Sequence, residues 1–342
     1  MKKKMIGVFL LSVFVALNGF AGGSQDSPAA SGPNAQRTLV FIPKATNSQF
    51  WVAIWDGAQK AAQELGYKEV KFQGTSSTAD VTGQINIVAD VTTSRPAGII
   101  VAVNDAVALK APIEKAIESG VPVVTVNAGV NSDKIPVHVA TDNYNAAAMG
   151  ADALAKLIGE KGTVIFIGID ATSENGRQRE NGFRDQMKKY PNIRILPTQH
   201  SQGDISRSMN VTSDLLTGNP DVVGIFCAQD NGGTGAAQTL KQRGQKDKIK
   251  LVAFDSSPDE FQLFLDDFLD ALVVQDPFMQ GYQGIYSLDK VINGKPIETD
   301  FVETPVTVVT KQNISEAAVY DIMARNSAIK DMMTNRGITP KN

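Results

Sequence analysis

The strongest constraint on the fold is a regular alternation of short apolar runs with longer amphipathic segments, which begins near Thr38. The short runs are rich in Val and Ile and almost continuously apolar, which is typical of parallel strands buried on both faces. The longer segments show helical spacing and end at glycines such as Gly66 or before prolines such as Pro96. This alternation predicts an α/β fold in which helices cover parallel sheets.

The pattern assigns elements along most of the chain. Strands are predicted at residues 39–42, 69–72, 98–102, 121–126, 163–168, 193–199, 222–227, 249–254, 270–275 and 302–309. Helices are predicted at residues 49–65, 80–94, 106–119, 143–159, 174–190, 204–217, 231–243, 257–267 and 277–293. So many strands favour two Rossmann-like lobes over one open sheet, and 342 residues suffice for two cores. A single (β/α) barrel is the alternative.

An internal repeat supports the two lobes. Residues 94–105 resemble residues 218–230, because each segment starts near a proline, runs through an apolar strand and ends on an amide–acid pair. A helix, a glycine and another strand with a polar end follow in both. The polar residues are Asn104, Asp105 and Asn127 in the first copy, and Gln229, Asp230 and Asp255 in the second. Chance similarity between two βα units is the alternative explanation.

The first 36 residues have a different character. Three lysines at positions 2–4, an apolar stretch over 6–17 and small residues at 19 and 21 predict a cleavable signal peptide over residues 1–21. A single N-terminal membrane anchor is the alternative. Residues 22–36 are rich in Gly, Ser, Pro and Ala, which is typical of a flexible tether. We therefore expect a periplasmic or otherwise extracytoplasmic protein.

Composition and motifs exclude several function classes. With 33 Lys and Arg against 36 Asp and Glu, the chain lacks the basic excess of a nucleic-acid-binding protein. The two histidines are too few for most metal or triad chemistry, and no dinucleotide, Walker or G-x-S-x-G motif stands in the required place. The single cysteine, Cys227, lies in an apolar run and is predicted to be a core residue. We expect no enzyme activity, no cofactor and no metal.

Polar side chains follow the predicted strands at the points where ligands gather in parallel α/β sheets. Amides and acids at these strand ends, with one Lys and one Arg, suit a ligand rich in hydroxyl groups. Phe50 and Trp51 follow the first strand, and aromatic rings fit the C–H faces of a sugar, although core packing is the alternative for this pair. The sequence thus predicts a cleft for a polar, partly apolar small molecule.

The order and spacing of several segments resemble the type I periplasmic binding proteins of ABC transporters, in the ribose- and rhamnose-binding branch. The resemblance extends from Thr38 to about Gln312. It is carried by FIPKATNSQFWVAIWDGAQKAAQELG, GQINIVADVTTSRPAGIIVAVNDAVAL, SGVPVVTVNAG, HVATDN, RQRENGF, NPDVVGIFCAQD, LVAFDSSPDE and DALVVQDPFMQGYQG.

The resemblance implies a set of ligand-binding residues. They are Lys44, Phe50, Trp51, Asp105, Asn127, Arg179, Gln229, Asp255 and Gln275. One departure stands out, because ribose-binding relatives carry an Asp-Arg pair where this chain has Asn127-Ala128. Ribose itself is therefore in doubt.

The resemblance also implies an architecture and a mechanism. The first lobe would comprise residues 37–140 and 276–304, and the second residues 141–275 and 305–335, joined by a three-segment hinge. A monomer would close on a sugar-like ligand and dock on ABC permease subunits, with binding favouring the closed state. The alternative is a receptor for a furanosyl signal or polyol that feeds chemotaxis, with a chemoreceptor as partner.

Overall fold

The computed structural model describes residues 34–341, so the predicted signal peptide and most of the predicted tether lie outside the described residues. The last three tether residues form a turn, and Asn34 is buried there, with its side-chain amide donating to the Leu65 carbonyl at 3.0 Å. Within the described part, no helix is both long and apolar enough to cross a bilayer.

Strands and helices alternate through most of this region. The strands are β1 (Thr38–Ile42), β2 (Glu69–Phe72), β3 (Gly98–Val101), β4 (Val123–Val126), β5 (His138–Ala140), β6 (Gly162–Gly168), β7 (Ile193–Ile195), β8 (Gln199–His200), β9 (Val222–Cys227), β10 (Lys250–Phe254), β11 (Ala271–Gln275), β12 (Phe301–Glu303) and β13 (Val306–Thr310). The helices are α1 (Gln49–Glu64), α2 (Val81–Ser94), α3 (Lys110–Glu118), α4 (Asn143–Leu157), α5 (Glu174–Met187), α6 (Ile205–Gly218), α7 (Asp230–Arg243), α8 (Pro258–Leu265), α9 (Pro277–Ile292), α10 (Ala317–Ala324) and α11 (Ser327–Asn335).

The strands form two separate sheets with the same order. The first sheet runs β2-β1-β3-β4-β5-β12, and the second runs β7-β6-β9-β10-β11-β13, with β8 also paired to β6. All pairs are parallel except β11 with β13. Two α/β sheets confirm the predicted fold class, and the barrel alternative is wrong. The matching order also supports the internal repeat, since β3 and β4 occupy the places that β9 and β10 take in the second sheet.

Each sheet has a hydrophobic core on both faces. β1, β3 and β4 are buried between a cluster that includes α1 and α9 and a cluster that includes α2 and α3. β6, β9 and β10 are buried in the same way, and Cys227 is fully buried among them. Burial raises the pKa of its thiol, as expected for a core cysteine. We call the first sheet with its helices the first lobe, and the second sheet with its helices the second lobe.

The chain crosses between the lobes three times. The crossings lie between β5 and α4, between β11 and α9, and between β12 and β13. After the second crossing, α9 returns to the first lobe and packs on α1. The contact is tight, because a Cβ atom on Gly281 would lie 1.8 Å from the Ile54 carbonyl oxygen. The hinge is therefore anchored directly to the helix that carries Phe50.

Several predicted boundaries differ from the structure. The single strand predicted at 302–309 is two strands, one in each sheet, because the chain changes lobe at Thr304 and Pro305. The strand predicted at 193–199 is likewise split into β7 and β8, and β5 was not predicted. Two further helices, α10 and α11, follow β13 and were also missed.

Candidate functional site

Arg179 is the most buried basic group of the candidate site, with 2% of its surface exposed. It projects from α5, whose N-terminus is capped by Ser173. Its Nε donates to Asn143 Oδ1 at 2.8 Å, and its Nη1 donates to the Ala228 carbonyl at 2.6 Å. The guanidinium also lies 3.9 Å from the centre of the Phe254 ring. These contacts fix the side chain in one orientation before any ligand arrives.

Two carboxyl groups face this arginine from the ends of β9 and β10. Asp255 Oδ2 lies 3.9 Å from Arg179 Nη1, so the buried guanidinium has an acidic partner. Burial raises the pKa of Asp255, while Arg179 opposes the rise. Burial, with the nearby Asp255 charge, raises the pKa of Asp230 to about 7. The site therefore holds one fixed cation, Arg179, and two nearby acids whose ionised forms it stabilises.

A chain of buried amides connects this cluster to the first lobe. Gln275 Nε2 donates to Asp255 Oδ1 at 2.5 Å, and Gln280 Nε2 donates to Gln275 Oε1 at 3.3 Å. Asn127, at the end of β4, donates from Nδ2 to Gln280 Oε1 at 3.2 Å. Gln280 also donates to Thr141 Oγ1 at 3.3 Å. A single hydrogen-bonded chain thus runs from the first lobe through the hinge to Asp255.

Asn127 and Asp255 have the same unusual backbone. Each directly follows its strand, and their φ angles are 61° and 76°, in the left-handed region that Asn and Asp tolerate better than most residues. They stand at the equivalent strand ends that the internal repeat predicted. The shared conformation places both side chains in the same hydrogen-bonded chain.

Lys44 brings the first lobe's positive charge to the cleft. It follows β1, and only 8% of its surface is exposed. Burial lowers the pKa of its ammonium group to about 8, while the second-lobe acids Asp170 and Glu174 act in the opposite direction. Lys44 therefore faces the second lobe and stays mostly protonated at neutral pH.

The aromatic pair divides between the cavity and the core. Phe50 lines a narrow cavity together with Asp230, Asp255 and Gln275. Trp51 is 7% exposed and belongs to the first-lobe core, where it packs edge-on against Phe50 with ring centres 5.0 Å apart. Trp51 therefore supports Phe50 rather than lining this cavity.

Two other predicted residues, Asp105 and Gln229, use their polar side-chain atoms in hydrogen bonds within the protein. Asp105 Oδ1 accepts hydrogen bonds from the backbone N–H groups of Val107 and Ala108, and so caps the turn that delays α3 until Lys110. Gln229 Nε2 donates to Ser201 Oγ at 3.1 Å. Neither lines the cavity that Phe50 and Asp255 share. Lys44 and Arg179 do not line it either, and Asn127 lines a separate cavity with Thr141 and Asn143.

Three polar groups at or near the site are not among the predicted ligand-binding residues. Asp230 is named only as a strand-end residue of the repeat, next to Gln229, although an extended backbone sends adjacent side chains to opposite sides. Asn104 is likewise named only in the repeat, and its amide nitrogen and oxygen are buried without a hydrogen-bond partner among residues 34–341. Gln280 lies inside α9, and only the hydrogen-bonding network identifies it.

Glu260 lies behind the acid pair and is fully buried. Its two carboxyl oxygens find no hydrogen-bond partner in the described region. Burial, with Asp230 and Asp255 nearby, raises its pKa well above the ordinary value. A side chain at Gly233 would clash with it, since an added Cβ would lie 2.3 Å from Glu260 Oε1. No group of three His, Cys, Asp or Glu side chains within residues 34–341 is arranged to hold a metal ion.

Comparison with known proteins places these features in a family. The profile of the periplasmic binding protein domain matches residues 39–296. The ribose import binding protein of Escherichia coli is 29% identical over 279 residues, which cover 81% of this chain and 92% of that protein. The D-allose-binding periplasmic protein of the same organism is 27% identical over 275 residues, covering 78% of this chain and 88% of that protein.

Solved structures give the same result. A carbohydrate transporter solute-binding protein from Agrobacterium radiobacter, in complex with D-arabinose, superimposes with a TM-score of 0.80 and 31% identity, covering 84% of this chain and 99% of that one. An ABC transporter solute-binding protein from Agrobacterium vitis with bound D-fucose gives a TM-score of 0.79 and 29% identity, covering 83% and 99%.

Proposed function

Because the chain belongs to the periplasmic binding protein family, we propose that it captures a monosaccharide between its two lobes for an ABC importer. The observation that carries the proposal is the hydrogen-bonded chain from Asn127 through Gln275 to Asp255, beside Arg179. It links a first-lobe side chain to Gln275 and Asp255, which line one cavity with Phe50 of the first lobe. Contacts from both lobes are what allow a ligand to favour one hinge angle.

The side chains that line the cavity and those that lie around it suit a neutral, polyhydroxylated ring. Arg179 donates hydrogen bonds, the Asp255 carboxylate accepts them, and the unpaired amide of Asn104 offers one donor group and one acceptor. Phe50 supplies an apolar face. Because Arg179 faces Asp255, and Lys44 faces Asp170 and Glu174, a neutral ligand adds no further charge to this buried region.

The sugars named with the relatives favour a monosaccharide over a furanosyl signal or polyol. Ribose, D-allose, D-arabinose and D-fucose are the sugars named with those proteins. We take them as the first candidate ligands to test for this chain. Asn127-Ala128, in place of the Asp-Arg pair expected of ribose-binding relatives, argues for a sugar other than ribose. Lys44, Phe50, Asn127, Arg179, Asp255 and Gln275 form our proposed contact set, with Asp230 and Asn104 added.

The wider role follows from the family. We propose that the mature protein is a monomer outside the cytoplasmic membrane, released by cleavage after residue 21, and that its liganded form docks on permease subunits. The relatives are named as binding proteins, and we propose binding without turnover.

A thermal-shift screen tests the function. The mature protein is heated with D-ribose, D-allose, D-arabinose, D-fucose, xylitol and a furanosyl diol at millimolar concentration. A sugar at about 100 times its Kd stabilises the fold by roughly 2.7 kcal/mol, which raises Tm by roughly 4 °C. A shift with xylitol or the furanosyl diol alone supports the receptor alternative. No shift with any compound contradicts both functions.

A further inference from the structure

The C-terminal helices α10 and α11 form a segment that begins beyond residue 296, where the match to the family profile ends. The segment is nevertheless built into the candidate site. Its helices meet at Arg325 and Asn326, which cap the end of α10 and the start of α11. This turn lies at the cavity, so its side chains are placed to affect the ligand or the hinge.

Apolar contacts fix the segment to the second lobe. Val319 and Met323 of α10, and Ile329 and Met333 of α11, are all buried in the core on one face of the second sheet. Arg336, just after α11, adds an ion pair with Asp266 at 2.7 Å. The segment therefore moves with the second lobe.

From that position the segment forms one wall of the cavity. Ile322, Met323, Arg325 and Asn326 line the same space as Asp230 and Asp255. Gln49, Phe50 and Ala53, from the start of α1, line it from the first lobe. The cavity thus has a first-lobe wall, a strand-end wall and a wall made by the C-terminal segment.

Arg325 joins this wall to the hinge. Its Nη1 forms an ion pair with Asp276 Oδ2, and Asp276 is 1% exposed. Asp276 also accepts the backbone N–H of Met279 at 3.0 Å, and so caps α9 directly after the second crossing. The Arg325 guanidinium lies 5.7 Å from the centre of the Phe278 ring on α9.

These contacts connect a second-lobe side chain to the helix that packs on α1 in the first lobe. A buried carboxylate is costly without a partner, and burial indeed raises the pKa of Asp276 while Arg325 opposes the rise. A hinge movement that separates Arg325 from Asp276 would leave this acid unpaired. The ion pair therefore favours the hinge angle at which it forms.

We propose that the α10–α11 turn is a wall of the ligand cavity and that Arg325 is a positioning residue that holds the hinge at the angle seen in this structure through Asp276. The hinge part stands on the geometry alone, and the effect on affinity rests on the proposed sugar-binding function. Arg325 acts through the hinge and needs no contact with the ligand.

Distance measurement between two spin labels tests the hinge directly. Labels are placed at Val107→Cys in the first lobe and Ala171→Cys in the second, because both positions are exposed and follow strand ends that face the cleft. Cys227 is fully buried and stays unlabelled. Arg325→Met is compared with Arg336→Met, which removes an ion pair from the same segment away from the hinge.

We expect Arg325→Met, without added ligand, to shift or broaden the inter-label distance, and Arg325→Lys to restore part of the parent distribution. Arg336→Met should match the parent protein. An unchanged distance in Arg325→Met overturns the proposal, as does an equal change in Arg336→Met, which would assign the effect to the segment as a whole.

Calorimetry with the sugar that gives the largest thermal shift adds the second readout. Arg325→Met should weaken binding about tenfold, within the range typical of conformational coupling, while Arg336→Met binds normally. An unchanged affinity despite an altered distance overturns the effect on binding. If no sugar binds the parent protein, the proposed function fails, and the label distances still decide the role of Arg325 in the hinge.

Discussion

The two lobes share one strand order but present different walls to the cleft. Asp255 in the second lobe is paired with a fixed arginine, whereas Asn127, at the equivalent place in the first lobe, is neutral. Asp230 faces the acid–arginine cluster, whereas Asp105, in the same position of the repeat, caps its own turn. The repeat therefore conserves geometry while the chemistry has diverged.

This difference suggests a division of labour. The second-lobe wall is charged and already oriented by internal contacts, so it is suited to hold the ligand in the open protein. The first lobe offers the Phe50 ring, the Lys44 ammonium group, which faces second-lobe acids, and the unpaired Asn104 amide. Affinity should depend chiefly on the second lobe, and closure on the first.

The largest effect should come from Arg179→Ala. Hydrogen bonds to charged groups contribute roughly 1.5–3 kcal/mol each, so binding should weaken by roughly 10- to 100-fold. Titration calorimetry on the folded variant, checked by circular dichroism, measures this. Arg177→Ala is the matched control, because Arg177 is exposed and donates to the Thr172 carbonyl instead. Near-native affinity in Arg179→Ala would show that the charged wall is misplaced.

A smaller loss, about tenfold, is expected for Asp230→Asn, whereas Gln229→Ala should bind nearly normally. The pKa of Asp230 is about 7, so its carboxylate forms as the pH rises from 6 to 8 and then accepts ligand hydroxyls. Affinity of the parent protein should rise over this range, and Asp230→Asn should flatten the rise. The reverse ranking would return the strand-end contact to Gln229, as the resemblance first implied.

Lys44→Met should weaken binding several-fold at pH 7 through the loss of one first-lobe donor. Affinity of the parent protein should fall above pH 8, where the buried ammonium loses its proton, and the variant should not show this fall. The folding stability of the parent protein, unlike its affinity, should rise above pH 8. The folded-state pKa lies below the ordinary 10.5, so the charge destabilises the fold at neutral pH.

Thermal melts of Lys44→Met at pH 7 should therefore give a higher Tm than the parent protein. The advantage should shrink as the pH rises from 8 towards 10.5, because the parent protein gains stability over that window. A lower Tm at pH 7 would mean that the second-lobe acids already stabilise the ammonium group.

Glu260→Met should have the smallest effect on affinity, since Glu260 lies behind the cavity. Because the pKa of Glu260 is higher in the folded than in the unfolded protein, its protonation favours the folded state. This stabilisation is complete below pH 4.5 and is lost as the pH rises through the folded-state pKa. We expect the variant to be more stable at pH 8 by ~1–3 kcal/mol and to lose this part of the pH dependence, as denaturant unfolding would show. The exposed neighbour Asp259→Asn serves as the control. Equal stability at pH 8 would reveal an unrecognised partner for Glu260.

Much of the fold could be predicted because local chemistry and global packing agree. Continuous Val and Ile runs gave the buried strands, and Gly66 and Pro96 follow their helices closely. The exceptions depend on distant partners. Thr304 and Pro305 interrupt a segment of high strand propensity because its two halves pair with strands of different sheets. β5 has only three residues, too few for a clear sequence pattern.

The site was less predictable than the fold. The strand-end rule for parallel sheets predicted Asn127 and Asp255, and the resemblance added Arg179 from α5. The structure places all three in or beside one hydrogen-bonded chain. The choice between Gln229 and Asp230 requires knowing which side of the extended backbone faces the cavity. Gln280 and Arg325 lie in helical segments whose role depends on the hinge, and no local pattern marks them.

The most direct test of the division of labour is calorimetry on two double variants with the sugar chosen by the thermal screen. Lys44→Met/Phe50→Ala removes first-lobe contacts, and Asp230→Asn/Asp255→Asn removes second-lobe charge. We predict that the first-lobe variant binds more weakly than the parent protein but still saturably. The second-lobe variant should bind at least about tenfold more weakly than the first-lobe variant. Equal losses, or a larger loss in the first-lobe variant, would contradict it.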